Sequence, residues 1–132
     1  MKTFLADTNI FLRYFLRDNI SKAKQSDKYI KEAKKGNIGI IIIPQIIFEV
    51  EFAMRKIYKV QRDTIAAKLL SVVRYPYLKV ENREMLVKIL HIYRETNLHI
   101  VDCFLVYEAS MRNVEIFTFD KQLKKLSTSL SS

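Results

Sequence analysis

The sequence is poor in glycine, proline and cysteine, and each shortage excludes a class of protein. Two glycines and two prolines in 132 residues are too few for the many tight turns of a β-sandwich or barrel, so helices with a few buried strands are favoured. The single cysteine, Cys103, excludes a disulfide framework and makes a reducing cytosol the expected compartment. No apolar run approaches the roughly 20 residues of a membrane span. Asp7 and Asn9 interrupt the first apolar segment, which is therefore not expected to be a signal peptide.

Positive charge is the surplus of this sequence. Lysine and arginine number 23 and aspartate and glutamate 14, which gives a formal net charge of +9. Such an excess favours a polyanionic partner, such as a nucleic acid, an acidic protein or a membrane surface, with a basic surface kept only for solubility as the alternative. Hydrophobic residues make up 49% and charged residues 28%, a balance that excludes wholesale disorder and, at this length, predicts one globular domain.

Strand and helix patterns alternate along the chain. Short apolar runs predict strands at residues 2–6, 38–43, 78–80 and 114–119. The intervening segments and residues 121–126 have the spacing and caps of helices. We therefore predict an α/β fold, a three-layer sandwich in which a short, mainly parallel central sheet is flanked by helices. Residues 1–126 form a single domain in this prediction, and the Ser-rich residues 127–132 form a flexible tail.

Four acidic residues stand in apolar surroundings, where a carboxylate is costly unless a cation or hydrogen-bond donors compensate. They are Asp7, Glu49, Asp102 and Asp120. Two of them end predicted parallel strands, and two lie on predicted helices that can face the same crevice at the carboxyl edge of the sheet. Converging carboxylates repel one another, and Mg²⁺ or Mn²⁺ relieves that repulsion through oxygen ligands. Such a site suits phosphodiester hydrolysis.

Most of these acids also have a purely structural interpretation. Asp7 and Asp120 can each cap the helix that follows them. Glu51 competes with Glu49, because two positions apart on a helix they point roughly 200° apart and only one can face the crevice. Asp102 is the hardest to explain by structure alone, since nearly all its neighbours in sequence are apolar.

The blocks around the acids resemble those of PIN-domain nucleases. In chain order the blocks are an apolar strand with Asp7-Thr8-Asn9, the segment from Ile43-Pro44 to Glu49, the segment from Asn97 to Ala109 with Asp102, and Ile116 to Asp120 (IFTFD). Order, spacing and length fit over residues 2–126, with two departures: Asn113 where a glycine is often found, which is a mild change, and Cys103 at the position after Asp102. Single-domain PIN proteins of this size mostly resemble VapC toxins of toxin–antitoxin pairs.

This resemblance implies an endoribonuclease that depends on Mg²⁺ or Mn²⁺, in which metal-activated water cleaves RNA and leaves a 5′-phosphate. The residues that it assigns are Asp7, Glu49, Asp102 and Asp120 as catalytic metal ligands, and Thr8, Asn9 and Thr118 as supporting polar groups. It further implies a homodimer and a small antitoxin protein as partner. A catalytically inactive PIN-like module that binds RNA or protein is the alternative.

Basic and apolar side chains near the acids are candidate contact surfaces. The candidate contacts for RNA phosphates are Arg13, Arg17, Arg55, Lys56 and Lys121, all of which can equally be solvated surface charges. The apolar segment from Ile46 to Tyr58 exceeds what one helix face must bury, so it is either core or a surface for a second copy or an antitoxin. Cys103, next to Asp102, is interpreted as core packing.

A phospho-acceptor receiver domain is a further small α/β class that binds Mg²⁺. It would need paired acids after the first strand and an acceptor aspartate at the end of a central strand. Here only Asp7 follows the first strand and residues 38–44 contain no acid, so this class is disfavoured.

Overall fold

Three short parallel strands and seven helices make up residues 1–131, the part of the chain that the computed structural model describes. Side chains are described as far as Ser127. The strands are β1 (Lys2–Leu5), β2 (Ile38–Ile42) and β3 (Lys79–Val80). The helices are α1 (Thr8–Leu16), α2 (Ile20–Lys34), α3 (Pro44–Lys56), α4 (Arg62–Val73), α5 (Arg83–Glu95), α6 (Ile100–Arg112) and α7 (Lys121–Ser131). The predicted α/β class with a parallel sheet is confirmed.

The sheet has the order β1-β2-β3, with β2 in the middle. β1 pairs with β2 from Lys2–Ile38 to Leu5–Ile41, and β2 pairs with β3 only at its carboxyl end. Ile40 and Ile42 are buried on one face of β2, and Gly39 on the opposite face is buried as well, as is typical of a parallel strand that is covered on both faces. The outer edge of β1 has no strand partner in the described part of the chain.

Local sequence signals explain where two helices near the candidate site begin and end. Pro44 is the first residue of α3, directly after β2, where its missing N–H and fixed φ suit a helix start. Asn113 ends α6 in the left-handed conformation (φ 55°, ψ 49°), and its N–H donates to the Ser110 carbonyl at 3.3 Å.

No helix within residues 1–131 combines the length and the apolar character needed to cross a membrane.

The fourth predicted strand is wrong. Residues 114–119 form irregular backbone between α6 and α7, and Phe117 and Phe119 are 101% and 100% exposed. Two backbone contacts hold the segment, from the N–H of Val114 to the Ala109 carbonyl (2.9 Å) and from the N–H of Ile116 to Ser127 Oγ (3.2 Å). Alternating apolar and polar residues make a segment able to form a strand. A strand also needs the edge of a sheet to pair with, and residues 114–119 do not pair with the edge of this sheet.

The last helix runs farther than the sequence pattern predicts. α7 continues from Lys121 to Ser131. Ser127 is buried in it, and its hydroxyl accepts the Ile116 N–H. The predicted tail of residues 127–132 therefore begins inside a helix. Its flexibility and the domain boundary at residue 126 stay predictions, and Ser132 lies outside the described residues.

Gly39 provides a test of the β1–β2 pairing. It lies opposite Thr3, and a Cβ at position 39 would meet Thr3 Oγ1 at 2.9 Å and Thr3 Cγ2 at 3.2 Å. We expect Gly39→Ala to lower the free energy of unfolding by about 1–3 kcal/mol, because the added methyl overpacks the contact between the strands. Urea denaturation measures the loss. Thr3→Ala in the same chain should recover most of it, and an unaffected Gly39→Ala variant would contradict the close approach.

Candidate functional site

Asp7 lies at the carboxyl edge of the sheet. The N–H of Ala6 still donates to the Ile41 carbonyl of β2 (2.9 Å), and Asp7 is the next residue. Asp7 is also the N-cap of α1, where its Oδ1 accepts the N–H of Thr8 at 2.7 Å. The carboxylate is exposed, so a cation can still bind through Oδ2. The structural interpretation of Asp7 is therefore correct, and it is compatible with the metal-binding one.

α3 carries two acids on different faces. Glu49 is exposed, whereas Glu51 is 1% exposed. Glu51 accepts hydrogen bonds from the Tyr93 hydroxyl (2.8 Å) and from Arg55 Nε (2.8 Å). Its charge is thus compensated inside the protein. Glu49 is the acid of this pair that can reach a ligand.

Asp102 lies in the first turn of α6 and is half-buried. α6 lies beside α3, since the Phe48 and Phe104 rings meet edge to face with centroids 5.9 Å apart. Glu49 follows Phe48 directly, so Glu49 and Asp102 are carried by neighbouring helices. Cys103 is fully buried, and burial raises the pKa of its thiol to about 11, which leaves it neutral, as expected of a packing residue.

Asp120 ends the irregular segment instead of a strand. It caps α7, where its Oδ1 accepts the N–H of Leu123 at 3.1 Å. Its own N–H donates to Thr118 Oγ1 at 3.0 Å, so Thr118 fixes the backbone of Asp120. The prediction that Asp120 ends a strand of the sheet is wrong, because residues 114–119 lie outside the sheet.

The four acids are not gathered in this arrangement. Among the described residues, no three side chains of aspartate, glutamate, histidine or cysteine lie close enough to hold a metal ion. The donor set nevertheless fits Mg²⁺ or Mn²⁺, because it consists of carboxylate oxygens and, within residues 1–131, none of the four acids forms an ion pair. Beside Asp7, the Oγ1 of Thr8 is buried without a hydrogen-bond partner in that part of the chain, whereas Asn9 is exposed.

Comparison with models of protein families identifies the family of this chain. The PIN domain model matches residues 4–128. The chain belongs to the PIN domain family. PIN domains are generally nucleases, and the four acids lie within the matched residues. No curated protein and no solved structure gives a significant match to the chain.

Three of the five basic residues that are predicted to contact RNA form ion pairs with acidic residues of the same chain. The ion pairs are Arg13 with Asp18 (2.9 Å), Arg17 with Asp27 (2.8 Å) and Arg55 with Glu51 (2.8 Å). The hydrogen bond and charge of Arg17 lower the pKa of Asp27. Lys56 and Lys121 are exposed, so they are the stronger candidates for phosphate contacts.

Sequence reasoning missed Tyr93 and Arg62 near the site of this PIN domain. Tyr93 lies at core spacing on α5 with Leu86, Ile89 and Leu90, and it is fully buried. Its hydroxyl needs a partner there, which Glu51 supplies. The signal that could have revealed the pair is Glu51 itself, because it shares the core face of α3 with Ile47 and Met54.

Asp7 allows the capping role to be separated from the metal-binding role. We expect Asp7→Ala to lower the free energy of unfolding by about 1 kcal/mol, because the N-cap of α1 is lost. Asp7→Asn should stay within a few tenths of a kcal/mol of the wild type, since asparagine caps about as well as aspartate. Urea denaturation in EDTA measures both. An equal loss in the two variants would contradict the capping role.

Proposed function

We propose that this PIN domain is an endoribonuclease that depends on Mg²⁺ or Mn²⁺. The observation that carries the proposal is the presence of Asp7, Glu49, Asp102 and Asp120 within a family match that covers residues 4–128. Asp7 lies at the carboxyl edge of the sheet, and Glu49 and Asp102 lie on neighbouring helices. The net charge of +9 suits a polyanionic substrate such as RNA.

The four carboxylates are the groups that would hold the ion. A divalent cation held by carboxylates lowers the pKa of bound water and offsets charge on phosphate oxygens. Thr118 keeps the backbone of Asp120 in place, and Thr8 and Asn9 stand next to Asp7 as polar support. Lys56 and Lys121 would contact phosphates, which strengthens binding and makes it salt-dependent without selecting a sequence.

Assembly of this site requires Asp120 to reach the edge of the sheet. The open edge of β1 adjoins a cavity of about 210 Å³ lined by Phe4, Ala6, Ile10, Tyr29 and Ile40. Phe117 and Phe119 are two residues apart, so in a strand they share one face and could fill this apolar space. Parallel pairing of residues 114–119 with β1 would bring Asp120 to the edge where Asp7 lies. Burial of two phenylalanine rings favours this pairing.

Hydrogen exchange tests whether the segment joins the sheet. We expect saturating Mg²⁺ to slow amide exchange in residues 2–5 and 114–119, because new hydrogen bonds form between them. Exchange of β2 residues 38–42 should stay unchanged and serves as the internal control. Replacing both Phe117 and Phe119 with serine should reduce the protection. Unchanged exchange in β1 with bound Mg²⁺ would contradict the pairing.

A calorimetric Mn²⁺ titration combined with an RNA cleavage assay tests the nuclease proposal. We expect the wild type to bind Mn²⁺ and to cut RNA only with the metal. Asp102→Asn should lower the affinity and the cleavage rate by about tenfold or more, because even indirect partners of metal ligands contribute that much. Asp63→Asn is the matched control, since Asp63 is likewise in a first helical turn and is exposed. A wild type that binds no Mn²⁺ would support the catalytically inactive binding module instead.

We infer further that the protein is a VapC-type toxin that forms a homodimer and is neutralised by a small antitoxin. Support comes from the order of its acidic blocks. The segment from Ile46 to Tyr58 is divided between core and surface, since Ile47 and Met54 are buried while Phe52 and Ile57 are 52% and 66% exposed. These two exposed side chains offer an apolar surface for a protein partner.

A further inference from the structure

The buried carboxylate of Glu51 is held in one geometry by its donors. The Tyr93 hydroxyl and Arg55 Nε both donate to Oε2 at 2.8 Å, and Arg55 Nη2 donates to Oε1 at 3.4 Å. Burial and the bond to Glu51 raise the pKa of Tyr93, so its hydroxyl keeps the proton that it donates. Hydrogen bonds weaken steeply when bent, whereas apolar contacts slide, so the Tyr93–Glu51 bond fixes how α5 sits against α3.

Stability alone does not account for a glutamate at this position. A buried ion pair is often no more stabilising than an apolar side chain of the same size, because both charges lose their water. An apolar residue at position 51 would also suit the core face of α3, which buries Ile47, Val50 and Met54. A requirement for defined placement of α3 would account for the glutamate.

Tyr93 is tied to the start of α6 as well. The guanidinium of Arg62 lies 3.8 Å from the centroid of the Tyr93 ring, and its Nε donates to the Tyr93 carbonyl at 2.7 Å. Arg62 Nη2 donates to the carbonyl of Leu98, two residues before α6 begins at Ile100. Tyr93 therefore contacts α3 through its hydroxyl and reaches the start of α6 through Arg62.

The two helices that Tyr93 connects are those that carry Glu49 and Asp102. We propose that the Glu51–Tyr93–Arg62 network positions Glu49 and Asp102 relative to each other, a role that rests on the proposed function. The Phe48–Phe104 contact brings α3 and α6 together, and an apolar contact of this kind is less directional than a hydrogen bond. The directed bonds at Glu51 and Leu98 set their offset. Tyr93, Glu51 and Arg62 are thus positioning residues that act through the two acids.

The test is the variant Tyr93→Phe, which keeps the ring and its Arg62 contact and removes only the donor to Glu51. We expect Mn²⁺ affinity and kcat to fall about tenfold, as is usual for groups that orient metal ligands, with KM for RNA changed by about twofold at most. Tyr75→Phe is the matched control. Its hydroxyl bonds Tyr14 (3.1 Å) and Ser71 (3.2 Å), away from α3 and α6, so both quantities should match the wild type.

A distance measurement without metal or RNA tests the placement directly. In a Cys103→Ala background, spin labels at Lys56→Cys on α3 and Ser110→Cys on α6 occupy exposed positions. We expect Tyr93→Phe, but not Tyr75→Phe, to shift or broaden the distance between the labels.

Three outcomes distinguish a positioning role of Tyr93 from a purely stabilising role and from failure of the proposed nuclease function. A Tyr93→Phe variant with a lower melting temperature but unchanged label distance, Mn²⁺ affinity and kcat would overturn the positioning role. A shifted distance together with the loss of affinity supports it. A wild type that neither binds Mn²⁺ nor cuts RNA would overturn the proposed function, and with it the purpose of the network, whereas the label distance would still report whether Tyr93 places the helices.

Discussion

Parallel hydrogen bonding between β1 and β2 joins two segments far apart in the chain, and the geometry of the candidate site follows from it. The pairing ends with the Ala6 N–H on the Ile41 carbonyl, so α1 and α3 both begin at the same edge of the sheet. This edge receives Asp7 directly. Glu49 follows on α3, and α6 brings Asp102 because its Phe104 packs on Phe48. Gly39 contributes to the pairing by leaving room for Thr3.

Much of this architecture was predictable, because the signals involved are local. The isoleucine-rich run of β2 is typical of a strand buried on both faces, and Pro44 and Asn113 are residue types that suit the helix start and the helix end at which the structure places them. Residues 114–119 were not predictable in the same way. Their alternation shows that two faces differ in polarity, but a strand also needs a neighbouring edge, which is a property of the tertiary structure.

In the candidate site, too, some features follow from the local sequence and others depend on the tertiary structure. The four candidate acids were selected from residue types and order, because carboxylates in apolar segments require compensation, but Asp7, Glu49 and Asp120 are exposed in the structure. Whether an acid caps a helix, binds an ion or does both depends on geometry, and Asp7 caps α1 through Oδ1 while the residue stays exposed. The pairing of Arg17 with Asp27 joins two helices, and no local pattern announces it. The hydroxyl partner of Glu51 lies much farther along the chain, at Tyr93.

The outer edge of β1, which has no strand partner within residues 1–131, also has a consequence between molecules. An unpaired strand edge is a template for any extended chain that reaches it, and the exposed segment VEIFTF is rich in β-branched and aromatic residues and contains no proline. In concentrated solution the segment of one molecule can add to the edge of the next, which gives exchanged dimers or open-ended aggregates instead of a closed monomer. Repulsion between molecules that each carry a net charge of +9 opposes such encounters at low ionic strength. Added salt screens this repulsion and therefore favours the association.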